Sequence, residues 1–272
     1  MAEPQRFRDR ISLHIEDGIA YVSLSRPEKY NGLDLDMLQG LVDAGRFLKK
    51  DRTLRAVILQ GEGKSFCAGL DFATVTRQPG RILRSFLSHL GIRRANLFQY
   101  CCWIWRELPM PVIAVTHGHC FGGGLQIALG ADFRFSTPDC QFSVMEIKWG
   151  LLPDMSGTAS LRELLPMDVA KELAMTGRVF DGREALALHL VTGVSDDPLA
   201  QAQALAAELA TRSPDALASI KKLFHRNWLA SERRAFRNER WLQVGLFMGK
   251  NQRRAMQAAM KKEPPVFGPR GR

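Results

Sequence analysis

Three consecutive glycines, Gly122-Gly123-Gly124, stand where an apolar run gives way to a helical one beginning at Leu125. Backbone N–H groups there carry no shielding side chain, and at a helix N-terminus the dipole favours negative charge. Such donors suit an oxyanion that develops during a reaction. The same glycines equally suit a tight turn or a close helix contact. An earlier segment, GEGKSFCAGLD, resembles a phosphate-cradling loop, but Phe66 occupies the final glycine position of GxGxxG. The chain has no GxxxxGK[ST], and the glycine triplet is followed by Leu125, not Lys, so nucleotide hydrolysis is disfavoured.

Two acids follow. Glu146 lies between apolar stretches, where a lone carboxylate is costly without a task. Asp154 comes across a turn bearing Gly150 and Pro153; it is a candidate second acid, or a cap before Ser156-Gly157-Thr158. His117-Gly118-His119-Cys120 has the look of a metal cluster, but nothing nearby completes a ligand set. A packed strand end fits it better than zinc, and no metal is expected. No GxSxG and no Ser-His-Asp set appears. Cys67 fits a small packing residue better than a nucleophile. Trp103 and Trp105 fit a core or a pocket wall.

The elements that must position these residues read as an α/β chain. Ile11–Ile15 and Ile19–Leu24 alternate around Asp17-Gly18, a hairpin signal. From Asp34, Leu38, Leu41, Val42 and Leu48 fall at helical spacing. Arg55–Gln60 reads as a buried strand, and one helix is predicted over about 82–108, with Pro109 and Pro111 ending it. Strands are predicted at Val112–His117, Asp132–Ser136 and Gln141–Val144. The order strand, glycine turn, helix occurs twice, which implies repeated ββα-like units with mostly parallel strands. After Asp197 the texture becomes helical, through Ala200–Thr211, a Ser213-Pro214 start, and two or three further helices to about Met260. The division expected is a core at 1–197 and a helical C-terminal region at 198–272.

Composition narrows the class. The chain has 272 residues, 46% of them apolar, enough to bury a sizeable core. No apolar run reaches the ~18 residues of a membrane span. The opening MAEPQRFRDRISLHIED is charged, and its acids Glu3, Asp9, Glu16 and Asp17 argue against a mitochondrial-type leader, so a cytoplasmic location is expected. The five cysteines form no CxxC pair and read as reduced, mostly buried residues. The net charge of +10 is concentrated, since residues 212–272 hold fifteen Lys/Arg against four acids. Such a block fits a solvated helix face, phosphate contacts or nucleic acid. Its basic residues are mostly Arg, spread over several helices with few aromatics for base stacking, which disfavours nucleic acid.

Phe66-Cys67-Ala68-Gly69-Leu70-Asp71, Gly118-x-x-x-Gly122-Gly123-Gly124 and Phe142-x-x-x-Glu146-x-x-x-Gly150-Leu151-x-Pro153 together resemble the crotonase superfamily, the enoyl-CoA hydratase/isomerase group. The opening RPEKYNGL and the basic closing helices are similar to it too. The resemblance implies a crotonase-like spiral of repeated ββα units with a helical C-terminal region. It implies an acyl-CoA thioester as ligand, with coenzyme A as part of the substrate and no separate cofactor. Leu70 and Gly123 would donate the two oxyanion N–H groups, and the backbone around Ala68 would meet the adenine. A homotrimer or a dimer of trimers is the usual assembly, with the C-terminal helices near the coenzyme A phosphates.

In the hydratase pattern GGGxE supplies one glutamate and a later one supplies the second. Here the first position is Gln126, whereas Glu146 is present. An amide binds a water or the substrate but exchanges no proton with it. Dienoyl-CoA isomerases of the family carry an Asp at the spacing of Asp154, with another acid where Gln126 sits. One carboxylate suffices to take a proton from one carbon and return it two carbons away. The expectation is therefore double-bond isomerisation through Glu146, helped by Asp154. The rivals are hydration on Glu146 alone, an RNA-binding homologue, and a catalytically silent acyl-CoA binder.

Overall fold

A computed structural model describes residues 4–75, 77, 79–89 and 95–271. The chain opens with β1 (Gln5–Phe7), β2 (Ile11–Glu16) and β3 (Ile19–Leu24), an antiparallel meander in which Glu16 pairs with Ile19. Asp17 and Gly18 have φ of 49° and 77°. Both are left-handed, as the expected two-residue hairpin requires. Helix α1 (Leu35–Lys50) starts where Asp34 accepts a hydrogen bond from the Met37 N–H at 2.7 Å, and its apolar stripe is buried. Strand β4 (Ala56–Gly61) then lies parallel to β3.

The single helix expected over 82–108 is corrected by the structure. After the short α2 (Phe72–Val75) come α3 (Pro79–Phe86) and α4 (Leu97–Glu107), and residues 90–94 of that stretch lie outside the described residues. Asn96 starts α4 with a reciprocal cap: its side chain accepts from Gln99 N–H at 2.9 Å, and the Gln99 side chain accepts from Asn96 N–H at 3.0 Å. Apolar spacing continues across that junction, so periodicity alone hides the break.

Next are β5 (Val112–Thr116), β6 (His119–Phe121), α5 (Gly123–Ala128), β7 (Phe133–Ser136) and β8 (Gln141–Ser143). Helices α6 (Gly157–Leu161), α7 (Met167–Thr176) and α8 (Gly182–Ala187) lead to β9 (Gly193–Val194). The main sheet has seven strands in the order β1-β2-β3-β4-β5-β7-β9, parallel from β3 onward. Strands β6 and β8 leave it to form a separate parallel pair. The sequence reading lacked β1 and β6, each only three residues long.

Period-two alternation in β4 assigns each residue to a face. Val57 and Leu59 join the large core beneath α1 and α4, whereas Ala56 and Ile58 face the opposite side with Ala202 and Ala206. Those alanines belong to α9 (Pro198–Ala210), whose small residues let it lie close on the sheet. Helices α10 (Pro214–Asn227), α11 (Glu232–Phe247) and α12 (Lys250–Lys261) complete the chain. No helix of the described residues is long and apolar enough to cross a membrane.

One buried ion pair fastens α10 to the core. Lys221 Nζ lies 2.7 Å from Asp132 Oδ2 and donates to the carbonyls of Trp105 at 2.9 Å and Met110 at 3.1 Å. Asp132 Oδ2 also accepts the Val112 N–H at 2.8 Å. Removing Lys221 leaves the buried Asp132 carboxylate only His225 Nε2 at 3.4 Å and the Val112 N–H as partners among the described residues. Lys221→Met is therefore expected to lower unfolding stability by about 3 kcal/mol, read as a shift in urea midpoint. A loss below about 1 kcal/mol would mean that apolar contacts alone hold α10.

Candidate active site

The segment after β4 reaches the site as an extra partner of β6. Cys67 N–H donates to His119 O at 2.9 Å, and Phe121 N–H donates to Cys67 O at 3.0 Å. On its other side, Leu33 N–H donates to Gly69 O at 2.8 Å, and Asp71 N–H donates to Leu33 O at 2.9 Å. In this parallel bridge Leu33 is bonded to the residues flanking Leu70, so the polar groups of Leu70 itself face the other way. Leu70 O accepts from Phe72 N–H at 3.0 Å, and Leu70 N–H meets no hydrogen-bond acceptor among the described residues. Ala68, half-buried on the same turn, donates its N–H to Tyr30 O at 2.9 Å.

Gly122 adopts φ 49° and ψ −118°, a region open to glycine, and α5 begins on the next residue. The Gly123 N–H is thus a first-turn donor without an intrahelical acceptor. A Cβ on Gly123 would fall 2.8 Å from Leu33 Cδ1 and 2.6 Å from Met155 Sδ. A Cβ on Gly124 would fall 2.7 Å from Cys67 Cβ. Leu33 therefore touches both halves: its backbone brackets Leu70 and its side chain lies on Gly123. The structure brings these two turns together.

The acids come from a different layer. Glu146 sits in the 3-10 turn Met145–Trp149, which ends at the left-handed Gly150. Gln126, 2% exposed on α5, donates Nε2–H to Glu146 Oε1 at 2.6 Å. Glu146 Oε1 also lies 3.2 Å from where a Gly122 Cβ would be, placing the carboxylate on the glycine turn. Burial pushes the Glu146 pKa up; its hydrogen bonds with its own backbone and Gln126 oppose this, and the charge of Asp154 adds to the rise. Burial pushes Asp154 up as well. Gln126 and Glu146 thus touch, the charge of Asp154 reaches Glu146, and burial makes both carboxyl groups hold protons more readily than in water.

The other sequence candidates have structural partners. His117 Nε2 lies 3.0 Å from Gly63 O, and His119 Nδ1 lies 2.9 Å from Ser65 Oγ. Among the described residues no cluster of His, Cys, Asp and Glu could hold a metal. All five cysteines are free and buried; burial raises the Cys67 thiol to about 12, and Cys67 Sγ donates to Asn31 O at 3.1 Å. Trp105 is fully buried, whereas Trp103 carries the Arg106 guanidinium 4.8 Å from its ring centroid.

An aromatic pair escaped the sequence reading. Phe72 and Trp149 lie with ring centroids 4.5 Å apart. In a 3-10 turn, residues three apart eclipse, so Trp149 stands on the Glu146 side of its turn. The pair bridges the Leu70 segment and the acid-bearing turn. The three-residue spacing from Glu146 was the available signal; the Phe72 partnership had none.

A mixed sheet of this order, with two glycine turns meeting beside a half-buried acid, is the crotonase fold. A solved putative enoyl-CoA hydratase from Streptomyces coelicolor A3(2) superposes with a TM-score of 0.87 at 28% identity, covering 98% of this chain and 97% of that one. The sequence profile of enoyl-CoA hydratase/isomerase matches residues 14–270, and the chain belongs to that family of enzymes. It is 30% identical to a probable enoyl-CoA hydratase of Bacillus subtilis (strain 168), over 94% of this chain and 98% of the relative. It is 32% identical to the mitochondrial Delta(3,5)-Delta(2,4)-dienoyl-CoA isomerase of Rattus norvegicus, over 75% of this chain and 64% of the relative.

The raised acids have a stability signature. A carboxyl whose folded pKa lies above its unfolded value holds a proton longer in the native state, so its contribution is present at low pH and is lost as pH rises through the folded value. For Glu146 the loss begins above its ordinary value of 4.5. Glu146→Gln is therefore expected to be more stable than the parent at pH 8, with the advantage shrinking toward pH 4. Melting temperatures at both pH values check this; an advantage that grows on acidification would contradict a raised Glu146.

Proposed function

We propose that the chain acts on an unsaturated acyl-CoA thioester and moves its double bond through an enolate held by the N–H groups of Leu70 and Gly123. Glu146 removes a proton from one carbon of the allylic unit and returns it two carbons away, with Asp154 as helper or second acid. The thioester makes the first proton acidic, and the two N–H donors stabilise the negative charge that appears on its oxygen. No atom is gained or lost, and coenzyme A enters as part of the substrate, so the scheme needs no separate cofactor. The backbone around Ala68 meets the adenine.

The observation that carries this reading is the Gln126–Glu146 hydrogen bond at 2.6 Å. An amide occupies the place from which a second acid would work on a water, so Glu146 has no proton-exchanging partner on that side. Asp154 is the candidate second carboxyl, and burial raises the pKa of both acids. The rat relative's name, a dienoyl-CoA isomerase, agrees with migration. The second reading, hydration on Glu146 alone, draws on the Bacillus relative's name.

In this reading residues 1–197 carry the acyl-CoA site, while 198–272 serve assembly and contacts to the coenzyme A phosphates. Phe224 on α10, Trp228 at its C-cap, and Phe236, Trp241 and Phe247 on α11 are exposed. Covering them against further copies of the chain, as a trimer or a pair of trimers, removes that apolar surface from water.

Two assays separate the readings. A 3-enoyl-CoA should gain the absorbance of a conjugated thioester, and Glu146→Gln should slow this by about 10²–10⁴-fold. Crotonyl-CoA should lose that absorbance slowly, and Gln126→Glu should speed the loss by about tenfold or more. Rapid hydration of crotonyl-CoA, abolished in Glu146→Gln while 3-enoyl-CoA is inert, would overturn isomerisation.

A further inference from the structure

Arg26 is 8% exposed, and its guanidinium ends among main-chain and carboxylate oxygens. One nitrogen, Nη1, donates to Gly32 O at 3.0 Å. The same atom lies 2.9 Å from Asp71 Oδ2 and 3.7 Å from Asp34 Oδ2. Gly32 and Asp34 flank Leu33, and Asp71 follows Leu70. A single cationic nitrogen thus touches both neighbours of Leu33 and the residue after Leu70. Leu33 and Leu70 form the parallel bridge that turns the Leu70 N–H away from Leu33.

The clamp is itself anchored. The Arg26 N–H donates to Asn31 Oδ1 at 2.9 Å, and Asn31 is fully buried with a left-handed φ of 55°. Asn31 Nδ2 donates to Glu62 O at 2.9 Å and Ser65 O at 2.8 Å. Both ends of the 65–71 segment are therefore tied to Arg26, Ser65 through Asn31 and Asp71 directly. Asp71 is oriented in turn: Oδ1 accepts the Thr74 N–H at 3.1 Å, and Oδ2 accepts the Thr74 hydroxyl at 2.7 Å. Burial works to raise the Asp71 carboxyl, but the bonds from Thr74 and Arg26 outweigh it and hold the group below its ordinary value. Apolar packing could hold such a turn in place, whereas hydrogen bonds also fix its direction.

Direction is what a backbone oxyanion donor needs, and a misplacement of about 1 Å costs about 10²-fold in rate. We propose that Arg26 is a positioning residue of the oxyanion site, aiming the Leu70 N–H by clamping Gly32, Asp34 and Asp71 around the Leu33–Leu70 bridge. Arg26 acts through the backbone, and the inference rests on the reading of Leu70 as an oxyanion donor.

Acetoacetyl-CoA tests it without turnover, because its enolate absorbs in the near ultraviolet and forms at lower pH where donors stabilise the negative oxygen. Butyryl-CoA, which stays un-ionised, reports on binding alone. Both are titrated with the parent, with Arg26→Met/Asp71→Asn and with Arg26→Lys, beside the melting temperature. The double variant removes both charges of the pair and leaves Asp34 with Arg10 at 2.9 Å, so no buried charge is stranded. It is expected to bind butyryl-CoA within about threefold of the parent. The pH at which bound acetoacetyl-CoA ionises is expected to rise by about one unit or more, a tenfold loss of enolate stabilisation. Arg26→Lys returns a cation to Asp71 and is expected to shift that pH by less than the double variant does. A double variant with the parent's ionisation pH overturns the inference. So does butyryl-CoA binding that falls in step with the melting temperature, since that marks a general structural role. A parent that binds both thioesters yet ionises acetoacetyl-CoA at the pH of the free compound overturns the oxyanion reading itself.

Discussion

The start of α5 is wedged among four neighbouring residues, and the glycine triplet is what lets it fit. Gly122 lies against the Glu146 carboxylate, Gly123 against Leu33 and Met155, and Gly124 against Cys67. Each neighbour belongs to a different stretch of chain: the acid-bearing turn, the loop before α1, the 151–156 segment and the segment leading to Leu70. A methyl group at any of the three positions pushes one of those stretches away, and interiors packed to crystalline density have little room to yield. The absence of side chains also leaves the first-turn N–H groups bare. One constraint therefore sets both the assembly of the site and the chemistry open to it.

Around this junction the environment has two opposed electrostatic preferences. At the α5 N-terminus, fixed N–H dipoles favour negative charge on an oxygen placed there. Burial, in contrast, pushes Glu146, which lies against Gly122, and Asp154 toward their neutral forms. A reaction that moves charge from a carboxylate to a thioester oxygen runs in the direction both preferences favour. Gln126 fits this balance, because a third carboxyl beside Glu146 would raise it further. Its amide instead steadies one oxygen of Glu146 and leaves the other oxygen without a hydrogen-bond partner among the described residues.

Much of this was legible in the residues. Asp17-Gly18 specified its hairpin because few dipeptides accept two left-handed residues, and Asp34 announced α1 by capping it. The glycine triplet and Glu146 stood out among the residues themselves, whereas Leu70 entered only through the family resemblance. What escaped depends on pairing at long range or on breaks that periodicity does not register. The Asn96 cap interrupts an apolar pattern that runs on regardless, and β6 is too short to alternate visibly. Phe72 and Trp149 meet only after folding.

A crystal structure with a bound acyl-CoA would show where the thioester oxygen sits. That oxygen is expected at about 2.7–3.1 Å from both Leu70 N and Gly123 N. A Glu146 oxygen is expected within about 3–3.5 Å of the carbon that loses its proton. A thioester oxygen bound away from either N–H, or a reacting carbon out of reach of Glu146, would contradict this arrangement.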